Sequence, residues 1–189
     1  MAEILLYHHI QGLTAGVVAF ADELREDGHT VHTPDSFGGR SFASIEEGLA
    51  FAREVGFDVL RKRGAAAAEE LGPDLIYAGF SFGVMIAQAL AQTRVGARGA
   101  LLMFSCLPVS EFRATWPAGV PVQIHGTEFD EFFEEDLPAA RALAASTPDA
   151  ELFLYPGDQH LFADSSLDAY DPDSAALLLE RARAFLASV

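Results

Sequence analysis

Short apolar runs alternate with longer amphipathic segments along this chain. Each run has the length of a strand and is bounded by polar or glycine-bearing loops. The predicted strands cover residues 3–7, 29–33, 75–78, 99–105, 120–125 and 151–155. Because each strand is a continuous apolar run, we expect a mostly parallel sheet that is covered by helices on both faces. The predicted fold class is therefore α/β.

The amphipathic segments between these strands predict the helices. Thr14 suits the N-cap of a helix that ends near Gly28, and Ser44 suits the N-cap of a segment that is broken near Gly56 and Gly64. Further helices are expected after residue 83, over 136–145 and over 174–189. No internal repeat or linker interrupts the pattern, so residues 1–189 are interpreted as a single domain.

The segment DLIYAGFSFGVMIAQAL predicts a strand, a sharp turn and a helix in immediate succession. Gly79 and Gly83 remove the side chains that would collide where a strand turns directly into a helix. Ser81 lies between them, with its hydroxyl expected above the carboxyl edge of the sheet. This arrangement is the nucleophile elbow of α/β-hydrolases, in which the next backbone N–H, here that of Phe82, faces the oxyanion.

Two later loops contain the partners that a serine nucleophile needs. His160 follows the last predicted strand, where a general base can reach the serine, and Asp130 follows the preceding strand, where it can orient the imidazole. The order Ser, Asp, His is that of α/β-hydrolase triads. Asp130 lies in the acidic run EFDEFFEED, so Glu128 remains an alternative acid.

Composition narrows the possible partners. The net charge is −16, from 12 Lys and Arg against 28 Asp and Glu, which disfavours binding to nucleic acids and to anionic membranes. The single cysteine, Cys106, allows no intrachain disulfide, and no leader or membrane-spanning run is evident, so we expect a cytoplasmic protein. No nucleotide-binding motif and no metal-ligand spacing occurs, so neither a cofactor nor a metal is predicted.

The chain resembles the dienelactone hydrolase family over nearly its full length. The resemblance is carried by the segments HTPDSFGGR, GFSFG, HGTEFDEFF and LFLYPGDQHLFAD. It implies a compact α/β-hydrolase fold with Ser81 as nucleophile, Asp130 as orienting acid and His160 as base. It also implies an oxyanion hole formed by the N–H groups of Phe82 and Ile10.

Three positions depart from the family's pattern. The family has a cysteine at the elbow, where this chain has Ser81, and a serine must lose its proton to a base as it attacks. The family's glutamate after the first strand is matched by His9. Its substrate-binding arginine, four residues after the catalytic histidine, is matched by Asp164, which would repel a substrate carboxylate.

These observations predict a serine hydrolase that cleaves a small neutral ester or lactone through an acyl-enzyme. A catalytically silent α/β-hydrolase scaffold that binds a small molecule or a protein is the alternative, and acyl transfer to an acceptor other than water is a narrower one. Loops 36–43 and 106–119 are expected to cover the site. The expected pocket residues are His9, Phe80, Arg40, Trp116 and Phe162. The oligomeric state is left open.

Overall fold

The computed structural model describes all residues, 1–189, as a six-stranded sheet between two layers of helices. The strands are β1 (Glu3–Tyr7), β2 (Thr30–His32), β3 (Leu75–Phe80), β4 (Gly99–Met103), β5 (Val122–Thr127) and β6 (Ala150–Tyr155). The helices are α1 (Ala15–Glu26), α2 (Ile45–Val55), α3 (Phe57–Ala66), α4 (Phe82–Thr93), α5 (Glu131–Ser146) and α6 (Pro172–Ser188). Short 3-10 turns cover Ala67–Glu70 and Val109–Glu111.

All neighbouring strands are parallel, in the order β2-β1-β3-β4-β5-β6. The first strand pairs with the central one from Glu3 opposite Leu75 to Tyr7 opposite Gly79. The predicted α/β class with a parallel sheet is confirmed. Because the carboxyl ends of parallel strands meet at one edge, the loops after β1, β3, β5 and β6 come together there.

The apolar residues form one core on each face of the sheet. Helices α1 and α6 cover one face, and α2 to α5 cover the other. Both faces of β3 are buried, which explains why this strand is apolar throughout. None of the helices combines the length and the apolar character that crossing a bilayer requires.

Two element boundaries differ from the prediction in ways that affect the site. Strand β5 continues to Thr127, two residues beyond its predicted end, so His125 is buried within the strand. Helix α5 begins at Glu131, well before the predicted residue 136, because the Asp130 side chain caps its first turn by accepting from the Phe132 N–H at 2.9 Å.

The predicted break at Gly56 is present, whereas Gly64 lies inside α3. Gly56 has a φ of +96°, which favours glycine and separates α2 from α3. At Gly64 the reason for glycine is space, since a Cβ there would lie 2.5 Å from Ser36 Oγ and 2.7 Å from Ile86 Cδ1.

Candidate active site

The turn between β3 and α4 is tightly packed around its glycines. A Cβ at Gly79 would lie 2.5 Å from the backbone of Gly83, and a Cβ at Gly83 would lie 2.4 Å from the Tyr7 carbonyl oxygen. Helix α4 can therefore start directly against β1 and β3 only because both positions lack side chains. The turn places Ser81 at the carboxyl edge of the sheet.

Ser81 has an unusual backbone conformation, with φ 48° and ψ −110°. Such conformations cost about 1–3 kcal/mol for a residue with a side chain and persist where surrounding contacts hold them. Here the Ser81 N–H donates to the Met103 carbonyl at 2.7 Å, and the Ser81 carbonyl accepts from the Val84 N–H at 2.8 Å. The strained turn directs the hydroxyl toward the loop after β6.

The side chains of Ser81, His160 and Asp130 form a continuous hydrogen-bonded chain. Ser81 Oγ lies 2.8 Å from His160 Nε2, and His160 Nδ1 lies 2.6 Å from Asp130 Oδ2. A carboxylate only accepts, so His160 carries its proton on Nδ1 and accepts from the serine hydroxyl on Nε2. The imidazole is 9% exposed and the carboxylate 1%, so both are shielded from bulk water.

Asp130, and not Glu128, is the carboxylate that reaches the imidazole. Its position is fixed by its second role as the N-cap of α5, in which Oδ1 accepts from Phe132 while Oδ2 accepts from His160. The Phe132 ring lies against the other side of the imidazole, with 4.8 Å between centroids. Glu128 is exposed to solvent.

Phe82 and Ile10 both border the recess that contains Ser81, and each has a backbone N–H group without an acceptor. Phe82 opens α4, where the N–H groups of the first turn have no acceptor within the helix. Ile10 lies in the loop after β1, and its N–H donates to no acceptor within the chain. These N–H groups are the candidate donors to an oxyanion formed next to Ser81.

A recess of about 320 Å³ opens beside Ser81, and we call it the inner recess. Its polar border includes Ser81, Ser105, Glu135, Asp136 and His160. The side chains that line the rest are apolar: Ile10, Ile45, Leu49, Phe57, Phe82, Met85, Phe104 and Phe132. The spacing of Ile45 and Leu49 on one helix face is the sequence signal that could have identified part of this lining.

A second recess, the outer recess, measures about 620 Å³ and borders His160 but not Ser81. Ile45, Phe132 and His160 line both recesses, so the two are neighbours. The outer recess is more polar; its lining includes Gln11, Ser44, Glu131, Asp158, Gln159 and Asp168. Neither recess is lined by a lysine or an arginine.

Of the two acidic residues that line the inner recess, Asp136 is the more buried. Burial raises its pKa, against the opposing effect of hydrogen bonds from the Ser105 hydroxyl at 2.6 Å and the Cys106 N–H at 3.2 Å. Cys106 itself is fully buried, which raises the pKa of its thiol to about 12, and it borders neither recess.

The five residues that we expected to line the pocket lie outside both recesses, which corrects that expectation. Phe80 and Phe162 point into the core beneath α1 and α6, because strand alternation and the turn at His160 direct them away from the edge. Trp116 is packed in the opposite core and donates to the Val120 carbonyl at 2.7 Å. Arg40 is exposed over the Phe51 ring, and His9 is fully buried.

The two loops that we expected to cover the site contribute little to the lining of either recess. Residues 106–119 line neither recess, and of residues 36–43 only Ala43 does. Gln88 holds the first of these loops against α4 through two hydrogen bonds to the Leu107 backbone, at 2.8 and 2.9 Å. The starts of α2 and α5 border the recesses instead.

The remaining buried histidines have structural partners. His125 contacts the Tyr155 hydroxyl at 2.9 Å and Gln123 Oε1 at 3.1 Å, and burial, then Arg181, lowers its pKa to about 3. His8 is also buried, which lowers its pKa to about 4. No three His, Cys, Asp or Glu side chains come close enough together to hold a metal ion.

Comparison with known proteins gives the family. The sequence profile of the dienelactone hydrolase family matches residues 2–189. None of the curated proteins matches the chain.

Solved structures share the fold at low sequence identity. A proposed dienelactone hydrolase from Klebsiella pneumoniae has a TM-score of 0.74 at 17% identity, covering 100% of this chain and 88% of that one. A proposed hydrolase of the α/β superfamily from Xanthomonas campestris has a TM-score of 0.67 at 23% identity, with 100% of both chains covered. A dienelactone hydrolase-like promiscuous phosphotriesterase from metagenomic libraries has a TM-score of 0.75 at 17% identity, covering 100% and 86%.

Proposed function

Since the chain belongs to the dienelactone hydrolase family and is a hydrolase of the α/β fold, we propose that it is a serine carboxylic ester hydrolase. The observation that supports this most directly is the chain of contacts from Ser81 through His160 to Asp130, at 2.8 and 2.6 Å. In an acyl-transfer enzyme these groups are nucleophile, general base and orienting acid.

The proposed reaction begins with attack of Ser81 Oγ on the ester carbonyl, while its proton moves to His160 Nε2. The carbonyl oxygen becomes an oxyanion that accepts from the Ile10 and Phe82 N–H groups. His160 then returns the proton to the departing alkoxide, which leaves an acyl-enzyme. Water attacks this ester with His160 again as base, and the acid is released as Ser81 recovers its proton.

The two recesses suggest how the substrate divides. The inner recess borders Ser81 and both N–H donors, so the acyl group belongs there, in a space suited to a short apolar chain. The outer recess borders His160, which protonates the leaving oxygen, so the alcohol portion belongs there. Because the linings contain carboxylates but no lysine or arginine, the proposed substrate is a neutral ester or lactone.

Labelling with a fluorophosphonate tests this proposal. We expect a single adduct on Ser81, hydrolysis of p-nitrophenyl acetate and butyrate, and loss of both in Ser81→Ala. Ser110→Ala is the matched control, because Ser110 is exposed and borders neither recess. If Ser81 stays unlabelled and Ser81→Ala hydrolyses these esters like the parent, the proposal is wrong. A folded protein with neither labelling nor hydrolysis would support the silent scaffold instead.

A further inference from the structure

The peptide group between His9 and Ile10 is held in a defined orientation. Its carbonyl oxygen accepts from His8 Nδ1 at 2.7 Å and from the Gly12 N–H at 3.0 Å. The chain contains no cis peptide bond, and in a planar trans peptide the N–H points opposite to the C=O. The two hydrogen bonds to the oxygen therefore also fix the direction of the Ile10 N–H.

The Ile10 N–H has no acceptor within the protein, unlike the N–H groups that follow it. The N–H groups of the next two residues are both used, since Gln11 donates to His9 Nδ1 at 3.2 Å and Gly12 donates to the His9 carbonyl. The Ile10 N–H has no acceptor within the chain, and Ile10 borders the inner recess with Ser81. The Ile10 N–H is therefore available to an acceptor bound in the recess.

His8 is held so that it donates to this peptide. Its Nε2 accepts from the Ser36 N–H at 3.1 Å, so its proton lies on Nδ1, the atom facing the His9 carbonyl. The ring is 1% exposed and packs edge-on against Phe37, with 4.7 Å between centroids. Both its rotation and its tautomer are therefore set by neighbours.

His9 anchors the same loop on its other side. Because Nδ1 accepts from Gln11, the proton lies on Nε2, which donates to Asp164 Oδ2 at 2.7 Å. Asp164 also accepts from the Thr14 hydroxyl and from Ser166, through its N–H at 2.9 Å and its hydroxyl at 2.6 Å. Both members of the His9–Asp164 pair are fully buried. The loop after β1 is thereby fixed to the segment that follows the base.

We propose that His8 and His9 are positioning residues that hold the Ile10 N–H toward the oxyanion. Neither borders the recess that contains Ser81, so both act through the peptide and not on the substrate. This inference rests on the proposed function, in which Ile10 supplies one of two oxyanion donors. Removal of such a donor typically lowers kcat by about 10²–10³-fold, so misdirecting it should cost a sizeable part of that factor.

Two substitutions of His8 separate positioning from packing. In His8→Asn the amide nitrogen falls near the former Nδ1 and can still donate to the His9 carbonyl, whereas the contact with Ser36 is lost. In His8→Gln the amide group falls near the former Nε2, so the contact with Ser36 is kept and the donor to the peptide is lost. Both variants alter the core, but only the second releases the peptide that carries the Ile10 N–H.

The readouts are kcat and KM for an aryl ester, the rate ratio of that ester to its thiono analogue, and stability in urea. Sulfur accepts hydrogen bonds weakly, so the oxo-to-thiono ratio reports on the oxyanion hole and not on general destabilisation. We expect His8→Gln to lower kcat by about 10–100-fold with little change in KM and to reduce the ratio. We expect His8→Asn to stay within about fivefold of the parent, with its ratio retained.

A second pair keeps the test decisive if a His8 variant does not fold. His9→Gln keeps a donor that reaches Asp164, and His9→Asn does not, so the oxo-to-thiono ratio should fall more in the latter. If Ser81 is labelled but the members of each pair have equal kcat and equal ratios, the positioning role is refuted while the proposed function stands. An unlabelled Ser81 would instead refute the proposed function itself.

Discussion

Acidification from pH 7 to pH 5 should destabilise this protein strongly, because two of its histidines are buried in their neutral form. His8 and His125 are 1% and 0% exposed. Burial is the main cause that lowers their pKa values, to about 4 for His8 and about 3 for His125. In the unfolded chain both rings return to the ordinary histidine pKa of about 6.5.

The direction of this pH effect depends on whether the folded or the unfolded chain binds more protons. Below pH 6.5 the unfolded chain takes up protons that the folded chain excludes, so the free energy of unfolding decreases as the pH falls. The loss continues until the folded pKa is reached, near pH 4 for His8 and near pH 3 for His125. At about 1.4 kcal/mol per pH unit, each buried histidine lowers the free energy of unfolding by about 2 kcal/mol between pH 6.5 and pH 5. Together they remove about 4 kcal/mol, a large share of the usual 5–15 kcal/mol of a domain.

Urea unfolding at several pH values between 5 and 7.5 measures this effect. His125→Gln is the matched variant, since glutamine is polar but does not titrate. The substitution changes stability at every pH, so the slope of unfolding free energy against pH is compared rather than its value. Near pH 5.5 the parent slope should exceed the variant slope by about 1.2 kcal/mol per pH unit, which corresponds to about 0.9 proton. Equal slopes would refute the assignment of a buried neutral His125.

Three further predictions concern the candidate site. Gly48→Ala places a Cβ 2.0 Å from the Ile10 carbonyl oxygen, so it should displace the Ile10 backbone and lower kcat for p-nitrophenyl butyrate about tenfold. Gly72→Ala, which has open space around it, should leave kcat unchanged, and equal rates for the two variants would contradict the displacement. Ser81→Gly should have a free energy of unfolding in urea about 1 kcal/mol higher than Ser81→Ala, because both lack the hydroxyl but only glycine relieves the strained φ of 48°. The reverse order of stabilities would argue against backbone strain at this position. The parent should have a higher kcat/KM for p-nitrophenyl butyrate than for the negatively charged hemisuccinate of similar length. Asp136→Asn should reduce this preference about fivefold, because it removes about 1 kcal/mol of repulsion between the two carboxylates. An unchanged preference would exclude Asp136 as its source.

The sequence predicted the elbow and its partners because their signals are local. Two glycines that flank a serine between an apolar strand and an apolar helix leave few alternatives to a tight turn, and the packing at Gly79 and Gly83 shows why. The order of strands along the chain then places the loops of Asp130 and His160 at the same edge. The choice between Asp130 and Glu128 needed coordinates, since it depends on which residue caps α5.

The lining of the cleft was not predictable in the same way. Both faces of the central strand are apolar, so the sequence does not reveal toward which layer Phe80 points, and it lies in the core beneath α1 and α6. Trp116 was expected at the site because its loop follows a strand, but its indole N–H is paired within that loop. Five of the residues that line the inner recess with Ser81 come from the first two turns of α2 and α5, whose approach to the edge is a tertiary property.

The two residues that depart from the family's pattern, His9 and Asp164, contact each other, although 155 positions separate them along the chain. With the family's glutamate at position 9, two carboxylates would meet without water between them. With the family's arginine at position 164, the donors of Thr14 and Ser166 would lose their acceptor. The family's glutamate at position 9 is therefore incompatible with Asp164, and the family's arginine at position 164 is incompatible with the donors around it.

The contact between His9 and Asp164 also bears on the charges near the two recesses. Hydrogen bonds from His9, Ser166 and Thr14 outweigh the effect of burial and lower the pKa of Asp164 to about 2, so its charge is satisfied within the protein and does not face the substrate. Asp164 borders neither recess, and the arginine of the family pattern is absent from this position. Because no other lysine or arginine borders either recess, a substrate carboxylate would meet only Glu135 and Asp136 at the inner recess. This lining supports the uncharged ester or lactone that we propose as the substrate.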